Sequence, residues 1–264
     1  MRTTFLMLLL ALSLSIQAAD RYRVLIPVYL EEPAAGAFGS LWTTPLAIYN
    51  GTSSTFQFDP ACLEVCRDHA PLTPGKTQQQ IETFTWEWRS GQPTRVLGLT
   101  TIAGKDSPAA LSFQLRAADI SRSATNAGTE VPVVRETEFR TSTVHLLNVP
   151  VDPQFRLTLR IYEMNAAESD FAVRIYDQAA NLLLGSSMVH LTMPIAPNLP
   201  HLNGVPVAPA YLQIGDLAAL IPAGAALPQM LRVEIEPKTS GSAFWGFISI
   251  TNNQTQHVTL VTPQ

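Results

Sequence analysis

The sequence predicts an all-β protein made of two tandem antiparallel β-sandwiches, and three observations carry that prediction. No segment sustains an apolar period of 3.6, whereas apolar alternation of period two recurs in short runs. Gly, Pro and Asn turn signals separate these runs at intervals of about a dozen residues, as in sandwich domains. Only 14 % of the 264 residues are charged, and Thr, Ser, Gln and Asn supply much of the remaining polarity. This is well under the usual quarter of charged residues. The length suits two modest domains, each able to bury a core without metals or a dense set of disulfides.

Net charge is −4, and Lys and Arg form no cluster. Nucleic acid is excluded as a partner on that ground, because phosphate neutralisation needs a concentrated basic surface. Residues 1–19 read as a signal peptide. Arg2 gives the positive start, 5–14 the apolar run, and Gln17-Ala18-Ala19 the small-residue cleavage site. The run is too short to span a bilayer. The expected mature protein is therefore 20–264, secreted or periplasmic, without membrane insertion. Cys62 and Cys66, the only two cysteines, are expected to form a local disulfide in that compartment. A metal site with His69 and Asp68, or free thiols, are the alternatives.

The first domain is assigned to 20–135. Residues 21–28 read as a strand with an edge signal at Pro27, and 34–40 as a flexible loop. A strand over 41–50 ends at Asn50-Gly51, a hairpin dipeptide, with 55–58 as its return strand. Leu72-Thr-Pro74-Gly75-Lys-Thr77 has the Leu-x-Pro-Gly-x-Thr form common in immunoglobulin-like sandwiches. The alternation over 81–89 puts Phe84, Trp86 and Trp88 on one face of a strand. Further strands fall at 95–101 and 111–116, and 131–134 closes this half.

The second domain is assigned to 136–264. Strands are expected at 144–149, 155–162, 171–176, 182–193 and 230–237, with 155–162 and 171–176 pairing as a hairpin. A proline-rich loop covers 193–210, and Asp216 starts a helical turn. Residues 245–263 read as two strands folded back through Asn252-Asn253, closing the domain. An aromatic-to-Asn spacing recurs in Trp42 to Asn50, Phe139 to Asn148 and Trp245 to Asn253. It fits either a duplicated domain or the general likeness of strand–turn units.

No catalytic motif emerges and no cofactor is expected. Lys238-Thr-Ser-Gly241 reads as a turn, and the five histidines are scattered. The acidic pairs Glu31/Glu32, Glu136/Glu138 and Glu234/Glu236 would serve a glycoside hydrolase only if two carboxylates faced each other across a cleft. The candidate ligand-binding residues are Arg156, Arg160, Tyr162, Arg174 and Tyr176. They share one polar face of the expected hairpin, suited to an acidic polysaccharide or a partner protein unless Glu234 and Glu236 neutralise it. Trp86 and Trp88 are either a sugar-stacking platform or core.

Four blocks, 36–44, 128–136, 213–217 and 249–258, resemble uncharacterised exported bacterial proteins with two immunoglobulin-like β-sandwich domains. The resemblance implies a fold and an address, and brings no activity. The expected function is that of a non-enzymatic interaction or surface-structural module. Carbohydrate binding and a cryptic glycoside hydrolase are the alternatives.

Overall fold

In the computed structural model, residues 22–30, 32–59, 70–79, 95–122, 127–192, 201–202, 205–206 and 209–264 are described. The alternating runs of the first half become β1 (Tyr22–Ile26), β2 (Ala34–Ala35), β3 (Leu41–Thr43), β4 (Leu46–Tyr49), β5 (Thr55–Asp59), β6 (Thr77–Gln79), β7 (Arg95–Ala103), β8 (Ser112–Asp119), β9 (Thr129–Val131) and β10 (Val134–Arg135). The second half forms β11 (Val144–Pro150), β12 (Phe155–Glu163), β13 (Ser169–Asp177), β14 (Leu183–Leu191), β15 (His201–Leu202), β16 (Val205–Pro206), β17 (Ala210–Ile214), β18 (Met230–Pro237), β19 (Phe244–Asn252) and β20 (Val258–Val261).

The strands assemble into two all-antiparallel sandwiches. In the first, the sheet β10-β1-β7-β5 faces the sheet β2-β3-β8-β4-β6, with β9 also on β8. Val24, Phe56 and Leu99 from one sheet meet Ile48, Leu115 and Val131 from the other. In the second, β11-β18-β13-β14 faces β17-β12-β19-β20. Its core sets Phe171, Val173 and Val233 against Leu157, Leu159 and Ile248.

The two halves repeat one pairing scheme. The run β5-β7-β1 matches β13-β18-β11, and β6-β4-β8-β9 matches β17-β12-β19-β20. The repeat is one of topology, and the aromatic-to-Asn spacing does not mark it. Trp42 lies on β3, Phe139 precedes β11, and Trp245 lies on β19, three positions the scheme does not superpose.

Several expected pairings are corrected. Pro45 splits the 41–50 strand into β3 and β4, and Pro132 separates β9 from β10. No hairpin forms at Asn50-Gly51, because β4 and β5 lie in opposite sheets. A two-residue hairpin turn of that type needs positive φ at both residues, and neither adopts it. Asn50 is buried instead, and its Nδ2 donates to Ser54 O at 2.8 Å and Leu72 O at 2.9 Å. Strands β12 and β13 likewise stand in opposite sheets. Residues 164–168 arch across the sandwich, so the inward rows of the two strands pack face to face. The terminal hairpin does form, as β19–β20, and Asp216 caps a short 3-10 helix, Leu217–Leu220.

Strand β19 has a wider role than closing one domain. Phe244 through Thr251 are all buried. Phe244, Ile248 and Ile250 enter the second core. Trp245 and Phe247 point the other way, into a seam with Tyr162 and with Leu25 and Val134 of the first sandwich. Polar latches frame this seam. The Tyr162 hydroxyl donates to Pro27 O at 2.6 Å, and Arg23 Nη1 donates to Met164 O at 3.3 Å. Arg23 also pairs with Glu136. Arg140 and Phe244 exchange backbone hydrogen bonds of 2.7 and 2.9 Å.

A large buried aromatic in such a seam carries a predictable weight. Trp245→Ala should cost about 3–5 kcal/mol in urea denaturation. A cost under about 1 kcal/mol, typical of a surface site, would show that the seam does not stabilise the fold.

Candidate functional site

The five residues expected on one hairpin face are divided between two surfaces. Arg156, Arg160 and Tyr162 lie on β12, while Arg174 and Tyr176 lie on β13 in the opposite sheet. Tyr162 is fully buried in the seam, its ring 6.2 Å from Trp245 and 5.1 Å from Tyr211. It is a structural residue and presents no surface to a ligand. Cys62, Cys66, Trp86 and Trp88 lie outside the described residues, as do His69 and Glu31.

Around Arg174 the surface neutralises itself. Arg174 meets Glu236 at 2.6 Å and Glu234 at 3.9 Å. Arg232 reaches Glu234 at 3.3 Å and Lys238 reaches Glu236 at 2.6 Å. The Arg232 guanidinium also lies 4.4 Å from the ring centre of Tyr176. Cross-strand register produces the ladder, since Arg174 stands opposite Glu234 and Tyr176 opposite Arg232. Hydrogen bonds from Lys238 and then Arg174 hold the Glu236 carboxyl below its ordinary value. At the far end, Asp170 and His190 pair at 2.8 Å.

On β12 the arginines are met by neutral groups. Arg156 donates to Asn253 Oδ1 and Gln256 Oε1, both at 3.0 Å, and lies 5.1 Å from the ring centre of Phe38. Arg160 donates to Ser249 Oγ at 2.9 Å and lies 5.6 Å from the ring centre of Phe247, while its buried Nε has no acceptor. Among the described residues no carboxylate pairs with either arginine. Burial lowers the Arg156 pKa, and burial also raises that of Tyr211 against the opposing pull of Arg160.

The groups around Arg156 are held under strain. Among the described residues five non-glycines take positive φ, and two of them, Phe38 (56°) and Gln256 (57°), touch Arg156. Side chains pay steric energy in that region, and such residues concentrate at ligand sites and switches. A tight loop holds Phe38. Gly36 N donates to Ser40 O at 2.9 Å, and a Cβ at Gly36 would sit 2.6 Å from the Trp42 ring. Phe38 is nonetheless 63 % exposed. Sequence reasoning missed Phe38, Tyr211, Asn253 and Gln256; the glycines at 36 and 39 were the one available signal, for the loop alone.

Strand β14 is the second notable surface. Among the described residues it pairs only with β13. It contains no Pro, Lys, Arg, Asp or Glu, and Leu183 and Met188 are exposed. Its start is approached by the Leu220 backbone, where a Cβ on Gly185 would lie 2.2 Å from Leu220 O. Residues 186–191 continue beyond that contact. The other edge of the same sheet is guarded, because β11 carries a register shift between Leu146 and Val149, ends in Pro150, and accepts at His145 O from Gln264 N at 3.2 Å.

Among the described residues no group of three or more His, Cys, Asp or Glu side chains could hold a metal ion, and no helix is long and apolar enough to cross a membrane. No family model, curated relative or solved structure matches the chain.

Glu163, at the end of β12, is buried beside the seam. Its Oε2 accepts from Ala167 N at 2.9 Å and its Oε1 from Ala243 N at 3.4 Å. Burial raises its pKa, against these hydrogen bonds. The folded state therefore binds the proton more tightly than the unfolded chain. The stabilisation from protonation is fully present below the ordinary Glu value and is lost as pH rises through the raised folded value. Glu163→Gln should remove this part of the pH dependence in urea denaturation from acid to neutral pH. Carboxylates shifted the other way, such as Glu236 and Asp106, cancel in the difference. Identical pH slopes for variant and wild type would contradict the assignment.

Proposed function

We propose that the protein is a secreted or periplasmic, non-enzymatic module that assembles through strand addition at β14. The observation that carries this reading is the uncharged β14 edge, with Leu183 and Met188 exposed. An edge strand offers a row of backbone donors and acceptors, and proteins usually blunt it with charge, proline or a cover. The occupant is a second copy of this chain. Two β14 strands meeting antiparallel about a two-fold axis set Ser, Met, Val and His side chains opposite one another. No acidic or basic pair of like sign is juxtaposed, and the interface is isologous.

The remaining parts of this reading are the leader at 1–19 and the kinship with exported two-sandwich proteins. The immunoglobulin-like assignment is supported by the sandwich architecture and antiparallel pairing of both halves. Strand order differs in detail. Constant-type immunoglobulin domains keep their first two strands in one sheet, whereas β11 and β12 stand in opposite sheets.

Sedimentation velocity over a concentration series tests the proposal. The mature chain should show a monomer–dimer equilibrium, and Met188→Lys should abolish it without lowering the melting temperature measured at dilutions where the wild type is monomeric. A wild type that stays monomeric throughout, or a dimer indifferent to Met188→Lys, would overturn it.

A further inference from the structure

Beyond strand β14, and independently of it, the outer face of β12 carries the makings of a ligand site. We propose that this face binds an acidic polysaccharide, with sugar carboxylates pairing to Arg156 and Arg160.

Four observations support the assignment. The first is charge: Arg174 and Arg232 on the opposite sheet each meet a carboxylate, whereas Arg156 and Arg160 are held by amides, a hydroxyl and aromatic rings. A half-buried guanidinium without a counter-ion is well placed to take a carboxylate, which it can engage through two parallel hydrogen bonds.

The second is strain. Phe38 and Gln256, both at positive φ, aim a ring and an amide oxygen at Arg156, so its position is set before any ligand arrives. The third is spacing. The two arginines share one strand face four residues apart, about 13 Å at the usual rise, a separation suited to charges repeated along an extended polymer.

The fourth concerns the kind of polymer. Strand β12 is paired along its whole length to β19, and from Leu159 onward, the stretch that carries Arg160, also to β17. The backbone donors and acceptors around Arg160 are therefore engaged, and recognition there falls to side chains. An extended peptide gains much of its affinity from main-chain pairing at an edge, which the doubly paired stretch around Arg160 does not offer. Between and beside the arginines stand Thr158 and Gln213, the latter directly opposite Arg160. Hydroxyl and amide groups of this kind suit a hydroxylated ligand, and the exposed ring of Phe38 adds an apolar surface for a sugar face.

The test is affinity electrophoresis of the full mature chain through gels containing polygalacturonate, with dextran and poly-glutamate gels run beside them. Polygalacturonate should retard the wild type at low salt, and added salt should weaken the effect. Dextran should not retard it. Arg156→Gln and Arg160→Gln should each weaken retardation about tenfold, as expected for loss of a charge-assisted hydrogen bond. Arg174→Gln, on the opposite sheet, should behave as wild type. Thermal melts report whether each variant folds; should Arg156→Gln fail to fold, Arg160→Gln and the salt dependence carry the test. Absence of retardation in polygalacturonate, retardation unchanged in Arg160→Gln, or stronger retardation by poly-glutamate would overturn the proposal, the last result pointing to an acidic protein instead.

Discussion

Strand β19 runs between two apolar environments, with Phe244, Ile248 and Ile250 in the core of the second sandwich and Trp245 and Phe247 in the seam. A strand buried on both faces tolerates no slip, because a shift of one residue exchanges its two rows. Here the rows are not interchangeable. The seam row carries an indole and a phenyl ring, while the core row includes Gly246, where a Cβ would come within 3.0 Å of Arg160 O and of Ile235 Cδ1. Burying each large apolar side chain stabilises by roughly 1.5–3 kcal/mol. The seam residues Leu25, Val134, Tyr162, Trp245 and Phe247 come from both halves, so the two sandwiches share that stabilisation. Register, domain closure and the attachment of one sandwich to the other thus depend on the same short strand.

The seam also governs which polar groups remain for recognition. It covers the Tyr162 end of β12 and leaves Arg156 and Arg160 half-buried along the rest of the strand. On the far side of the second sandwich, cross-strand register brings opposite charges together, and the resulting ladder satisfies itself. Exposed pairs of that kind contribute little stability each, but they leave few unmatched charges. The contrast between a matched face and an unmatched one is a consequence of strand order, since β12 has β19 and β17 as neighbours and β13 has β18.

Among the described residues the strands themselves were largely legible in the sequence, and so were the short helix after Asp216 and the closing hairpin. Strand partners were less so. Period-two alternation states which residues share a face, but it does not state whether the next strand lies beside the first or across the sandwich. The 155–162 and 171–176 runs look alike in either arrangement, and the eight-residue connection between them serves as a hairpin loop or as an arch. Asn50-Gly51 misled for a related reason: the Asn side chain satisfies backbone groups of Ser54 and Leu72, a tertiary role that a dipeptide signal does not contain. Tyr162 and Arg160 occupy the same alternating row, and only the presence of the first sandwich buries one and leaves the other half-exposed. The strained residues Phe38 and Gln256 carry no local signal, because neither residue type favours positive φ.

Native-state hydrogen exchange is the most direct measurement of whether β19 joins the two halves into one cooperative unit. The amides of β1 in the first sandwich and of β12 and β19 in the second should exchange with the same opening free energy, equal to that of global unfolding. Exchange from β1 at a distinctly lower free energy, with β12 and β19 still protected, would show that the first sandwich opens alone and that the seam does not couple them.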